Sequence, residues 1–492
     1  MDNCKATTEN KDAPTNDTES NTSLSGSRKL TQYTAAIIVN IAALSSGSVV
    51  GWSAPMLPVL QSDASPTGEP ISNEVGSWLG SLMCLGGLLA TPLYLFISDH
   101  CRRKTTGYLV AVPFIVSWVL IIIANSVIIL CIARFTGGMG SGAIIVFASL
   151  YVSETAQDSV RGALGSYLTL FTNAGVLFSY VIGSYVSYYT FAYTALVIPV
   201  LYIAGLMWLP ETPNYLVNRG NYTQAKRSLR WLRGEDDRLV EIELTKLISF
   251  VRDRAETPSL KDMLSAAGTR RALTVGIILV ANLQFCGIFA ILSYTVTIFR
   301  EAGSDLSPNA STILIGALQL AGSCVSSLLI DKAGRKILLL VSNACMAICL
   351  AALGGYFFFK FQGSDVSNFG WLPVSSLSVY IAAIALGVAP ITFLMVSEIF
   401  EPQVKSRAIT IIISVMWLLT FLIGKFYTNL SDLLGIHGCY WLFSACCVLG
   451  AMFTIILVPE TKNRSYESIL LELSGGNERK KLNFARNEVD TF

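Results

Sequence analysis

From residue 32 onward, apolar residues fill runs of about 20 or more, long enough for a helix to cross the hydrocarbon of a bilayer. The runs fall at 32–58, 75–98, 107–125, 127–150, 163–188 and 191–209, then at 272–299, 309–330, 336–359, 375–400, 407–430 and 438–458. The pattern predicts an all-α membrane protein of twelve transmembrane helices in two six-helix halves, 31–213 and 271–460. Between them, 214–270 changes character. Tyr222 to Arg233 and Arg238 to Leu247 place Leu, Ile and Trp at helical spacing with charges between, which predicts short amphipathic helices on the cytosolic face. Residues 1 to 28 are Ser, Thr, Asn, Asp and Lys with few apolar side chains, so 1–30 is expected to be a disordered cytosolic tail, with a second cytosolic tail at 461–492.

Composition fits a chain whose solvent is lipid: 52% of the 492 residues are hydrophobic and only 14% charged. A formal net charge of +2, with no basic run interleaved with aromatics, excludes a nucleic-acid partner. The eleven cysteines lack CxxC or Cys/His ligand spacing, so neither a metal nor another cofactor is expected. No nucleophile and base pattern points to an enzyme.

The charges that remain occur twice, in the same order. Asp99 to Lys104, with Arg103 inside it, is answered by Asp331 to Lys336, with Arg335 inside it. Glu154, followed by Arg161-Gly162, is answered by Glu398, followed by Lys405 and Arg407. Pro210-Glu211-Thr212 is answered by Pro459-Glu460-Thr461. Three ordered echoes imply a tandem duplication, and paired charge clusters at membrane edges imply two rigid halves that rock about a central site. The basic loops lie after helices 2, 4, 8 and 10, which puts both termini in the cytosol. Of the Asn-x-Ser/Thr sequons, Asn309 and Asn429 are expected outside and glycosylated, whereas Asn221 and Asn463 are expected inside. The Arg and Lys residues that follow Asp99 and Asp331 can pair with the acids closing helices 4 and 10, Glu154 and Glu398, and the matched acids and bases at the ends of helices 2, 4, 6, 8, 10 and 12 are expected to lock the cytosolic ends of the halves together.

These motifs, with Arg134-Phe-Thr-Gly-Gly-Met-Gly-Ser-Gly142 and Tyr151-Val-Ser-Glu154, resemble the sugar-porter branch of the major facilitator superfamily over about 33–470. Within it, Trp231-Leu-Arg-Gly234 and the Gly51-Trp-Ser-Ala-Pro55 opening are similar to insect facilitated trehalose and hexose transporters. The resemblance implies a plasma-membrane sugar carrier that works as a monomer by alternating access. Its alternatives are a proton-coupled sugar symporter and a sugar sensor without flux. Proton-coupled members face the helix-4 arginine with a helix-1 carboxylate, whereas here helix 1 offers only neutral residues from Thr31 to Leu60.

The resemblance also places the sugar contacts. Helix 7 keeps Gln284, Gly287 and Tyr294; helix 8 contributes Gln319, helix 5 Thr169, helix 10 Thr392 and Phe393, and helix 11 Trp417. Leu283, Phe289 and Met416 stand where the family carries amides, which makes the pocket less polar than a hexose site. Arg102 stands in place of the first motif's glycine.

Overall fold

The computed structural model describes residues 20–234, 237–252, 267–303, 306–400, 402–462, 464, 468–469 and 472. Most of both expected tails, part of the middle interval and Asn463 lie outside the described residues.

Six spans form the first half: Leu30–Leu60, Asn73–His100, Arg103–Ile122, Val127–Thr155, Val160–Tyr185 and Tyr188–Trp208, numbered here spans 1 to 6. The second half begins with Gly268–Ala302, Pro308–Ser326, Arg335–Phe361 and Ser367–Glu398, spans 7 to 10. An apolar stretch of 54 residues, Val404–Leu457, follows. At 1.5 Å per residue one straight helix of that length would reach about 80 Å, far beyond the roughly 30 Å hydrocarbon core. It is instead two spans, because Gly435 turns the chain with φ 72°, ψ 162°. The twelve expected helices are thus present, with 404–434 as span 11 and 436–457 as span 12.

The helix carrying span 1 starts at Ser20 rather than after residue 30, so the expected tail is too long at its inner boundary. Extending an existing helix adds one hydrogen bond per residue fixed, and polar sequence alone does not end it.

Two spans are interrupted. Span 7 breaks at Gly287, whose φ of 85° separates Ala267–Phe285 from Ile288–Ala302, and Phe443 presses against that glycine so closely that an added Cβ would lie 2.4 Å from its ring. Span 10 passes through a π-helical turn at Ile384–Val388 just before Pro390. Within the halves, span 2 packs on span 4, span 1 on span 5, and span 9 on spans 10 to 12. The halves meet where span 2 crosses the 404–457 helices, where span 5 crosses span 8, and where the short helix Ser53–Leu60 meets Ile288–Ala302.

The middle interval folds into Pro213–Asn218, Tyr222–Arg233 and Asp237–Arg252. Arg233 ties it to the bundle, donating from Nη1 to the Thr155 carbonyl at 2.7 Å and pairing with Glu243 at 2.7 Å.

Candidate functional site

The bundle has a charged end, where the duplicated motifs gather, and an opposite end, where the loop at 61–72 lies. At the charged end, span 3 begins without a cap of its own: Arg102 precedes the first turn and makes no side-chain cap bond. Glu211 supplies one from beyond span 6, accepting from the Lys104 backbone N–H at 3.2 and 3.3 Å. Span 9 repeats the arrangement, Glu460 accepting from the backbone N–H groups of Arg335 and Lys336 at 3.1 Å each. The recurrence of the Pro-Glu-Thr motif thus has a physical reason: each copy caps a helix more than a hundred residues earlier.

The threonine of each copy completes a second unit. Arg103 forks onto Glu154, with Nη2 at 2.8 Å and Nε at 3.1 Å from Oε1, while Thr212 donates its hydroxyl to Oε2 at 2.6 Å. In the second half Arg335 reaches Glu398 at 3.2 Å and Thr461 donates to it at 2.5 Å. Burial pushes the Glu211 carboxyl above its usual range, against the pull of the Lys104 N–H. Glu460 is also raised by burial, but the N–H groups of Lys462, Arg335, Lys336 and Thr461 together hold it below that range.

Each ion pair lies inside its own half, Arg103–Glu154 in the first and Arg335–Glu398 in the second. The expectation that these charges clamp one half to the other is therefore corrected for Arg103, Glu154, Glu211, Arg335, Glu398 and Glu460, because each acid finds its partner on a neighbouring span of its own half. Asp99 is exposed and acts on Arg103 only through its charge. The side chain of Asp331 lies outside the described residues. Lys405 is half-buried and feels both Glu398 in its own half and Arg161 in the other, a like-charge approach across the halves. Arg161 donates to the Ala156 carbonyl at 3.3 Å, and Arg407 is half-buried with a partner of its own.

At mid-depth four of the eight expected sugar contacts share one property. Gln284, Gln319, Thr392 and Trp417 are buried, and each holds a buried polar atom without a hydrogen-bond partner among the described residues: Oε1 of both glutamines, Oγ1 of Thr392 and Nε1 of Trp417. Unmade hydrogen bonds are costly away from water, so a ligand that reaches these atoms can satisfy them, although similar atoms also occur elsewhere in the bundle, as at Asn40, Trp52 and Trp118. Gln319 is placed across the halves: its Nε2 donates to Oδ1 of Asn173 on span 5 at 3.1 Å, and Asn173 donates to Ser323 at 2.6 Å. Trp417 crosses too, its ring covering Gly87 of span 2 so closely that an added Cβ would sit 2.6 Å away. Tyr294, half-buried at a non-helical kink, meets Tyr427 with tilted rings whose centres lie 5.3 Å apart. Thr169 is half-buried and makes no side-chain bond among the described residues, whereas Phe393 is 38% exposed beside the buried Thr392. Gly287 is covered by Phe443 and acts as the break in span 7 rather than as a surface for sugar.

Three buried polar side chains with contacts between spans escaped the sequence reading. Asn173, one helical turn beyond Thr169, makes the polar contact of span 5 to span 8. Lys425 is a buried cation of span 11 at the opposite end, with Nζ 3.0 Å from the Ser77 hydroxyl, 4.0 Å from Glu74 and 4.6 Å from the Trp78 ring centre, all on span 2. Ser53 is the third. It accepts from Arg134 Nη2 at 3.0 Å, and the rest of that buried guanidinium is taken by the carbonyls of Leu79 at 2.9 Å and Val49 at 2.6 Å, with the Trp52 ring centre at 5.0 Å.

No group of three or more His, Cys, Asp or Glu side chains gathers in a metal-binding arrangement among the described residues. Asn309 and Asn429 are both exposed.

A family model described as sugar (and other) transporter matches residues 24–472. The facilitated trehalose transporter Tret1-2 homolog of Drosophila simulans is 36% identical over 451 residues, covering 90% of this chain and 91% of that protein. Tret1 of Drosophila yakuba is 36% identical over 447 residues, 90% of this chain and 52% of that protein. The chain thus spans about half the length of several curated relatives it matches. Among solved structures, the xylose transporter XylE of E. coli in its inward open conformation superposes with a TM-score of 0.73 at 20% identity, over 89% of this chain and 99% of that one. XylE bound to 6-bromo-6-deoxy-D-glucose gives 0.71 at 22% identity, over 88% and 98%. At such identity the likeness is one of fold, that of the major facilitator superfamily.

Proposed function

The chain belongs to the sugar transporter family, and on that premise we propose that it carries a neutral sugar, trehalose or a hexose, down its gradient across the plasma membrane. Transport alternates access between the two halves, makes or breaks no covalent bond and needs no cofactor. The family, the unpartnered amides and hydroxyl at mid-depth and the trehalose-transporter relatives support the sugar, whose hydroxyls both donate and accept and so suit side chains such as Gln284, Gln319 and Thr392.

The environment of Arg134 carries the passive mechanism. A buried cation in a membrane ordinarily pairs with a carboxylate, and in a proton-coupled porter that carboxylate is the proton carrier. Here Ser53 and two backbone carbonyls take its place, and none of them titrates near neutral pH.

The charged end is assigned to the cytoplasm by its basic loops, with Asn309 outside as a glycan acceptor. The contacts of Lys425 with span 2 then close the external end. A glycan on Asn221 would overturn this orientation. Uptake of labelled trehalose and glucose into vesicles containing only this protein tests the function: at least one should enter and saturate. Binding without entry would mark a sensor, and neither binding nor entry of any neutral sugar would refute the proposal.

A further inference from the structure

The duplication provides an internal comparison at the charged end. In the second half, Gly334 precedes span 9 with φ 88° and offers no side chain. In the first half the same position is Arg102, which adopts an ordinary φ of −61° and projects an exposed guanidinium that makes no ion pair or hydrogen bond among the described residues. It lines a cleft with Lys104, Tyr108, Glu211, Tyr215 and Arg219, so three cations face one carboxylate. That carboxylate is already turned onto the Lys104 and Thr212 backbone N–H groups. Among the described residues neither other cation meets an acid: Lys104 Nζ rests on the Met207 and Leu209 carbonyls at 2.8 and 3.0 Å, and Arg219 on the His100 carbonyl at 3.0 Å, over the Tyr215 ring.

The cleft also has a defined depth. Trp208, which ends span 6 beside the Lys104 contact, is 82% exposed, and an exposed tryptophan at a span end marks the headgroup layer. Below the cleft, Val112, Val116 and Val119 form an exposed apolar stripe on one face of span 3. A net positive cleft at headgroup depth, above an apolar rail, fits one amphiphile: anion in the cleft, acyl chain along the rail.

We propose that this cleft binds the phosphate-bearing headgroup of an anionic lipid, with Arg102 and Arg219 as its principal cations, and that the second half has no equivalent site. Guanidinium forks suit phosphate oxygens, and each basic side chain near a membrane surface strengthens such binding about fivefold.

The test uses the full chain in phosphatidylcholine nanodiscs, titrated separately with short-chain phosphatidic acid, short-chain phosphatidylcholine and inorganic phosphate, with bound species counted by native mass spectrometry. Phosphatidic acid should bind more tightly than either of the others. Arg102→Gly should weaken it about fivefold and Arg102→Gly with Arg219→Gln about thirtyfold. Arg464→Gln, in the second half, should leave it unchanged. Should the double variant fail to fold, Arg102→Gly, an exposed side chain without partners, remains decisive. The proposal is overturned if phosphatidic acid binds no better than phosphatidylcholine or if Arg102→Gly leaves its affinity intact. Inorganic phosphate binding equally well would also overturn it, since the cleft would then be a site for soluble anions.

Discussion

The ammonium group of Lys425 on span 11 lies 3.0 Å from the hydroxyl of Ser77 on span 2, joining the halves at the end opposite the duplicated charges. Closing that end removes a cation from water, and Ser77, the Trp78 ring and the more distant Glu74 only partly compensate. Ser77→Ala withdraws the nearest acceptor and should disfavour closure by about 1–3 kcal/mol. Lys425→Met removes the cation with its desolvation cost and should favour closure. A cysteine at Ser81, with other accessible cysteines replaced, should label faster from that side in the first variant and slower in the second. Labelling shifted in the same direction by both would contradict this reading.

The charged clusters make a different prediction because they lie within halves. Glu398→Gln leaves Arg335, 9% exposed, without its carboxylate and should cost about 3 kcal/mol of stability, lowering the melting temperature in detergent. Unchanged melting with altered accessibility of the charged end would instead restore a gating role.

The two capping acids should respond to pH with opposite signs. Glu211 is raised in the folded protein, so its contribution is present at low pH and is lost as pH climbs from the ordinary carboxylate range through its folded value. Glu460 is lowered, so its contribution is present above that range and is lost as pH falls through its folded value. Glu211→Gln should therefore flatten the melting profile on the upper side of the carboxylate range, and Glu460→Gln on the lower side. Melting curves of the two variants across mildly acidic pH check both signs.

At mid-depth, Gln284→Leu or Gln319→Leu would leave sugar hydroxyls unmatched in a dry pocket. Each should cost about 1–3 kcal/mol of binding, roughly five- to hundredfold in affinity. Concentration dependence of uptake measures this, and unaltered affinity in both variants would remove these residues from the site.

How far the sequence could be read depended on whether a residue's partner was implied by pattern. Arg103 with Glu154 and Arg335 with Glu398 were legible because duplication presents the same pair twice at the ends of apolar runs. Both members of each pair fall in the same half of the sequence, so the pairing itself argues against a clamp between the halves; that expectation came from their shared depth alone, which does not say which helices the charges join. Lys425 was visible as a lone cation inside a predicted span, a signal of function in a membrane, yet its partners Ser77 and Trp78 appear only once span 2 crosses span 11. Asn173 shares a helical face with Thr169, and only the crossing of spans 5 and 8 distinguishes which of them meets Gln319. The helix start at Ser20 was hidden because polar composition describes solvation, not backbone conformation.

The central claim is passive sugar transport, and Arg134 held by Ser53 and carbonyls in place of a titrating acid is its structural ground. The most direct measurement follows a non-metabolised sugar in vesicles containing only this protein, with and without an imposed proton gradient. The account predicts that internal sugar rises to the external concentration and stops there, at an initial rate unaffected by a protonophore. Accumulation above the external concentration, abolished by the protonophore, would contradict it and reveal a proton carrier elsewhere in the chain.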